Sequence, residues 1–379
     1  MKKTLLATAL AVGFAGAAQA QTNVTLFGII DGGVSYLRFK DGNTGRKATR
    51  FGLDDGVQQG NRWGLRGSED LGGGLKAVFH LESGWSLVTG QSQQPNGTTT
   101  RLFGREASFG LSSDAWGSLK FGRQINFASR YAGSVLAPQG DAFKESHIGA
   151  TFTSTTTVRA DNMIAYETPV FSGFQFGLGY SFDVNGSQSW DVDGTPDTDV
   201  TLITLGLRYN NGPLAVAVAY DHLNAPDSMP TTKDIKSWLL AGSYDFEVVK
   251  LHLGFGQDRN GSFANRTLHN TALGGQHTQS QFGFIGGKYR TNNYSVGLGV
   301  PLNTGEFSVS WHSARLGSGA YKDGRKAANG ETSQNLYSAK YTYPFSKRTN
   351  LYAVGTYGDG YAFNDVKVTQ LIVGLRHRF

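Results

Sequence analysis

The chain has 379 residues, no cysteine, 52 glycines, 24 phenylalanines and 16 tyrosines, and a formal charge of +6 at pH 7. Without a thiol there is neither a disulfide framework nor a thiolate metal site, so the fold must hold by burial and backbone pairing alone. The charge excess is too mild to point to a nucleic-acid partner.

Residues 1–20 read as a secretory leader. A basic start (Lys2, Lys3) precedes an apolar stretch from Leu5 to Ala15, and Ala18-Gln19-Ala20 has the small-x-small form of a cleavage site. Removal of the two lysines would take the formal charge from +6 to +4. The mature chain, 21–379, is expected to be one domain, because glycines and aromatics are spread evenly and no Pro- or Ser-rich linker divides them. Beyond the leader no apolar run approaches the ~20 residues of a membrane-spanning helix, which excludes a helical membrane protein.

What recurs instead is alternation. Leu26, Gly28, Ile30, Gly32 and Val34 share one face of the first run, with Phe27, Ile29, Asp31 and Ser35 on the other. The same period of two runs through Phe174 to Phe182, Leu214 to Tyr220, Trp238 to Phe246, Tyr294 to Val300 and Phe307 to Trp311, and it reads as strand. Many runs begin or end on Tyr, Phe or Trp, as rings do where hydrocarbon meets water. The faces opposite the apolar ones carry Lys, Arg, Asp, Glu, Ser and Thr. Alternation alone does not say which face points outward, but the leader and the aromatic ends favour a barrel that turns its greasy side to lipid.

Connector lengths alternate as well. Short turns fall at 70–74, 112–117, 168–173, 210–213, 245–248, 302–306 and 345–350. Longer polar segments fall at 39–61, 88–100, 126–157, 183–199, 223–234, 257–293, 316–334 and 359–367. Seven turns and eight loops predict about sixteen strands, with short connections at one end and long ones at the other. The stretch 257–293 is ambiguous, since 281–289 fits an extra hairpin or the extended top of two wall strands. The last run sets Leu371, Val373, Leu375, His377 and Phe379 on one face, and a closed barrel would pair it with the first.

The segments VTLFGIIDGGV (Val24 to Val34), RWGLRGSEDLGGGLKA (Arg62 to Ala77), LESG from Leu81, FGREA from Phe103, GLSSDAWG (Gly110 to Gly117), FGRQ from Phe121 and the final Phe379 together resemble the Gram-negative general porins, and most closely the beta-proteobacterial branch. The resemblance spans the mature chain. It implies an all-β, sixteen-stranded antiparallel transmembrane barrel with short periplasmic turns, long extracellular loops and a third loop folded inward. It also implies a homotrimer in the outer membrane of a Gram-negative bacterium, in contact with outer-membrane lipid and lipopolysaccharide, with Phe379 read as an assembly signal by the barrel-assembly machinery.

The segment 126–157 is the third long loop and among the longest. A flexible surface loop is one reading, but a connector of this length usually has a role. The sharper reading is a constriction loop whose Asp141, Lys144 and Glu145 bring charge into the lumen. By resemblance, Arg62, Arg105 and Arg159 form the basic cluster of the constriction, opposed by Glu82 and by Asp141 or Glu145. Arg66 and Lys76 would line the pore. Arg105 is the awkward member, because alternation sets it with Ala107, Phe109 and Leu111 toward lipid, where an arginine costs ~2 to 4 kcal/mol; a local bulge or a covered face must intervene. Arg123 also lies on the outward face, which the resemblance explains as a subunit contact and a simpler reading as a strand-end arginine reaching headgroups.

Catalytic patterns are absent from the sequence. The eight histidines show no His-x-x-x-His spacing, there is no Gly-x-Ser-x-Gly elbow, and the glycines at 72–74 lack the Lys-Ser or Lys-Thr of a phosphate loop. No enzyme activity and no cofactor are expected. The expected function is passive diffusion of small hydrophilic solutes and ions with a modest anion preference. A substrate-specific outer-membrane channel and a non-conducting barrel adhesin are the alternatives.

Overall fold

A chain with lipid on one side and water on the other has no solvent to satisfy stray backbone amides in the wall, so every strand needs a partner on both edges. The computed structural model describes residues 23–96, 98–138, 150–186, 188–263, 265–268, 277–280, 282–286, 288–317 and 331–379; the predicted leader lies outside them. The wall runs β1 (Asn23–Asp41), β2 in two segments (Lys47–Asp55 and Arg62–Gly72), β3 (Leu75–Gly84), β4 (Glu106–Ser113), β5 (Gly117–Ile125), β6 (Arg159–Glu167), β7 (Phe174–Ser181) and β8 (Leu202–Asn211). It continues through β9 (Leu214–Leu223), β10 (Ile235–Asp245), β11 (Lys250–Arg259), β12 (Arg290–Leu302), β13 (Gly305–Leu316), β14 (Ser333–Pro344), β15 (Thr349–Asp359) and β16 (Val366–Arg378).

Each strand is antiparallel to its neighbours, and both segments of β2 pair with β1. The sheet closes where β16 meets β1, from Ile29 opposite Arg378 to Asp41 opposite Val366. Phe379 completes the seam by exchanging both backbone hydrogen bonds with Gly28 at 3.1 Å. The barrel is therefore the predicted sixteen-stranded one, closed by this seam.

The polarity of the two faces is inverted relative to a soluble barrel. On β16, Leu371 and Val373 are 56% and 55% exposed, while Gln370 and Ile372 between them are buried. The buried interior holds Asp31, Ser35, Thr204, Asp221, Asp258 and Ser308. Apolar outside and polar inside is the arrangement a bilayer stabilises around an aqueous lumen. Aromatic pairs ring the outer face near the short turns, Phe174 with Tyr209 and Tyr244 with Phe246 at centroid distances of 4.4 and 4.6 Å. A second set, Trp238 with Phe255 and Phe255 with Tyr294, lies toward the long loops.

All seven short turns fall where the spacing places them. The first long loop does not. Rather than a loop over 39–61, β1 runs on to Asp41 and Lys47–Asp55 pairs back onto it, leaving a turn at 42–46 and a separate excursion at 56–61. Asp54, inside the segment expected as loop, is on this strand and is held by Arg50 at 2.7 Å and by the Ser35 hydroxyl at 2.5 Å. Between β11 and β12 two short ribbons, Gly261–Ser262 with Gly283–Phe284 and Asn265–Leu268 with His277–Ser280, stand apart from the wall. Among the described residues the ambiguous stretch thus adds no strand to the barrel wall.

Candidate functional site

After Ile125 the chain turns into the barrel. Asn126 caps a short helix, α1 (Phe127–Tyr131), by accepting from Ser129 N at 3.3 Å, and α2 (Gly133–Leu136) follows. The loop lies along the inner faces of β7 to β12, and β7, β8, β11 and β12 present glycine where it passes. A Cβ at Gly177 would strike the Phe127 ring, and one at Gly206 would lie 2.7 Å from Phe127 Cβ and 2.8 Å from Tyr131. Gly254 and Gly256 make the same room for Leu136 and Phe152, and Gly297 for Pro138.

Polar anchors fix the loop in this groove. Asn126 Nδ2 donates to Ser154 O and to Asp221 Oδ2 at 2.9 and 3.0 Å, and Phe127 N donates to Thr204 Oγ1 at 2.9 Å. The Ser295 hydroxyl donates to Leu136 O at 2.8 Å, and the Thr153 hydroxyl to Asp258 Oδ2 at 3.0 Å. The described parts of the third loop are therefore bound inside the lumen. Its tip, with Asp141, Lys144 and Glu145, lies outside the described residues.

On the opposite wall three predicted arginines converge. Arg62 Nη1 stands 3.7 Å from Glu82 Oε1, and Arg105 Nε donates to the same oxygen. Arg159 is buried behind them, its Nε donating to Arg105 O at 3.0 Å and its Nη1 to Thr157 O at 2.9 Å. The conflict over Arg105 resolves locally. It sits one residue before β4, in a bend after Gly104, so the alternation of Ala107, Phe109 and Leu111 does not govern it. Arg66 is exposed on the inner face with its guanidinium 5.3 Å from the Phe27 ring centroid, and Lys76 is half-buried on the inner face of β3.

Two members of this cluster escaped sequence reasoning. His80 lies between Glu82, at 3.7 Å, and Glu106, at 3.4 Å, and Glu106 is opposite Glu82 in the β3–β4 register. Parity along β3 puts His80 with Glu82, but nothing local reveals that Glu106 faces them. Among the described residues, three guanidinium groups and His80 thus share this wall with Glu82 and Glu106.

Arg123 lies on the outward face, opposite Ala107, as predicted. Its partners come from its own chain: Nη1 is 2.6 Å from Asp161 Oδ1, and Nε donates to Gly104 O at 2.8 Å. Arg101, at the end of the second loop, grips Asp161 from the other side at 2.7 Å. A bulge makes this possible, because β5 pairs Gly122 with Met163 and Gln124 with Ala160, leaving Asp161 and Asn162 opposite Arg123 alone. In Asp161→Asn two part-buried guanidinium groups would face each other without their carboxylate, a loss below the ~3–5 kcal/mol of a fully buried pair. The expected result is a lower temperature for the loss of compact mobility on a detergent gel.

Residues 7–361 match the family model described as Gram-negative porin. An outer membrane porin of Bordetella pertussis is 46% identical over the whole of both chains, and an outer membrane porin of Delftia acidovorans is 31% identical, again end to end. The anion-selective porin from Comamonas acidovorans superposes with a TM-score of 0.69 at 26% identity, covering 95% of this chain and 100% of that one. These relatives are outer-membrane proteins, and the family and its fold are those of channels, not enzymes. The chain belongs to the Gram-negative porin family and is an outer-membrane β-barrel channel.

Proposed function

We propose that the protein is a general diffusion porin, passing small hydrophilic solutes and ions down their gradients with a modest preference for anions. The observation that carries this is the wall cluster in which Arg62 and Arg105 converge on Glu82, Arg159 packs on the Arg105 backbone, and His80 stands between Glu82 and Glu106. Such a cluster lowers the barrier for anions across a narrow lumen, where fields act within a Debye length of ~8 to 10 Å. The likeness to an anion-selective porin supports the same sign. On this reading Arg66 and Lys76 extend the basic wall toward the short-turn end, and the third-loop tip, through Asp141 or Glu145 beside Lys144, supplies opposing acid across the opening.

The rest of the proposal concerns placement and assembly. Residues 1–20 direct export, the short turns face the periplasm and the long loops face outward against lipopolysaccharide. Phe379 serves as the signal read by the barrel-assembly machinery. Three copies assemble with the Arg123 region at the subunit contact. No cofactor takes part.

The test is planar-bilayer recording on detergent-extracted protein. Steady ohmic conductance is expected, closing in three equal steps, with a reversal potential in a salt gradient that favours the anion. Absence of conductance would replace the diffusion channel by a filled or adhesive barrel. Block by micromolar solute would replace it by a substrate-specific channel.

A further inference from the structure

The excursion at 56–61 interrupts β2 in mid-wall and turns inward rather than outward. Asp55 pairs with Gly32 and Arg62 pairs with Ile29, so six residues of β2, Gly56 to Asn61, stand where β1 spends only two. Four residues are surplus to the register. Their side chains do not point to lipid. Val57 is fully buried in an apolar cluster with Tyr352, Val354 and Ile372, which belong to the inner faces of β15 and β16.

A hub on β1 holds the insert. Asp31, itself fully buried, accepts from Gln59 N at 2.7 Å through one carboxylate oxygen and from the Tyr352 hydroxyl at 2.6 Å through the other. Its backbone N–H donates to Asn61 Oδ1 at 2.5 Å, and its carbonyl accepts from Gly56 N at 2.9 Å. From the far side Arg376 and Arg378 donate to Gln59 Oε1 at 3.1 and 3.3 Å. A surface loop of this length would not need five such ties.

The insert delivers its last residues to the arginine cluster. Arg62 Nε donates to Gly60 O at 2.9 Å, so the excursion fixes where this guanidinium points. The Cβ that any other residue would carry at position 60 lies 3.1 Å from Arg105 Nη1, so the bare Gly60 backbone packs against the second guanidinium. Asn61 O accepts from Trp85 N at 3.3 Å, linking the insert to the strand that carries Glu82.

We propose that Gly56–Asn61 is a second inward element of the pore, a wall-borne clamp opposite the third loop that positions Arg62 and Arg105 and so sets the anion preference. Asp31, Gln59 and Tyr352 are its positioning residues. The inference rests on the anion-preferring reading above, and its test separates the two.

The experiment uses the full-length protein in planar bilayers under a salt gradient, with compact mobility on an unheated detergent gel as the check on assembly. Deleting residues 57–60 leaves two residues opposite Ile30 and Asp31 and restores an unbroken β2 with no change of charge. The expected result is a larger single-channel conductance and an anion-to-cation permeability ratio reduced by up to about tenfold, the roughly threefold loss for the anion multiplied by the threefold gain for the cation when one positive charge moves away from about 6 Å. Should the deletion fail to assemble, the double variant Gln59→Ala with Tyr352→Phe removes the bonds of Gln59 Oε1 to Arg376 and Arg378 and of the Tyr352 hydroxyl to Asp31, again at constant charge, and is expected to lower the ratio in the same direction. A ratio unchanged in whichever assembled variant is recorded, with only a lower temperature of unfolding, would overturn the clamp and leave a structural bulge. Wild-type protein without anion preference would instead overturn the functional reading on which the clamp depends.

Discussion

Replacing Arg62 with glutamine is expected to lower the anion-to-cation permeability ratio more than the same change at Arg159, and replacing Glu82 with glutamine is expected to raise it. The ranking follows from exposure. The Arg62 side chain is 20% exposed against 9% for Arg105, whereas Arg159 lies behind both and spends its donors on the carbonyls of Arg105 and Thr157. At about 6 Å in water a unit charge contributes ~0.7 kcal/mol, or roughly a threefold change in local concentration for a monovalent ion. Anions lose this factor and cations gain it, so the Arg62 effect is large in a reversal-potential measurement. Arg159→Gln acts mainly by releasing the Arg105 backbone, and its shift is expected to be smaller. Because exposed charge is screened, all three shifts should shrink as salt rises from about 0.1 M toward 1 M, where the Debye length falls from ~10 to ~3 Å. Unchanged selectivity in both Arg62→Gln and Arg159→Gln would remove these residues from the filter, and a Glu82→Gln shift of the same sign as Arg62→Gln would contradict the charge argument itself.

The barrel is legible in the sequence because a two-faced environment acts on each strand separately. The alternation of Leu371, Val373 and Leu375 with Gln370 and Ile372 is a local pattern, and the structure sorts those residues to lipid and lumen accordingly. The short turns are local for the same reason. What local reading misses is register and crossing. Lys47–Asp55 is polar enough to pass for loop, and it becomes strand only because β1 extends far enough to pair with it. Arg105 obeys a bend at Gly104 rather than the parity of β4, and Asp161 reaches Arg123 only through a bulge that breaks the count on β6. Glu106 faces His80 through a pairing between strands that no single segment encodes.

The glycines make the same point more strongly. Their even spread reads as composition, whereas several of them form a track under a loop that arrives from a distant part of the chain. That track yields the second large prediction. Valine at both Gly177 and Gly206 would place side chains where the Phe127 ring, Phe127 Cβ and Tyr131 now sit. Overpacking of this kind costs roughly 1–3 kcal/mol at each site. The ties it strains, Phe127 N to Thr204 and Asn126 Nδ2 to Asp221, contribute about 0.5–1.5 kcal/mol each, or somewhat more where the acceptor is charged. The outer faces of β7 and β8 are untouched, so the barrel should assemble while α1 leaves the wall. Single-channel recording is expected to show noisier current at an altered conductance, and protease added from the long-loop side is expected to cut within 126–138, which wild-type protein should resist. Gly242→Val, on the outer face of β10, is the control for adding the same side chain away from the loop, since nothing lies within 4 Å of the Cβ it would add, and it should behave as wild type. If the paired variant kept both the wild-type current and the wild-type resistance to cleavage, the glycine track would not be what seats the third loop, and the polar anchors alone would have to hold it against the strain.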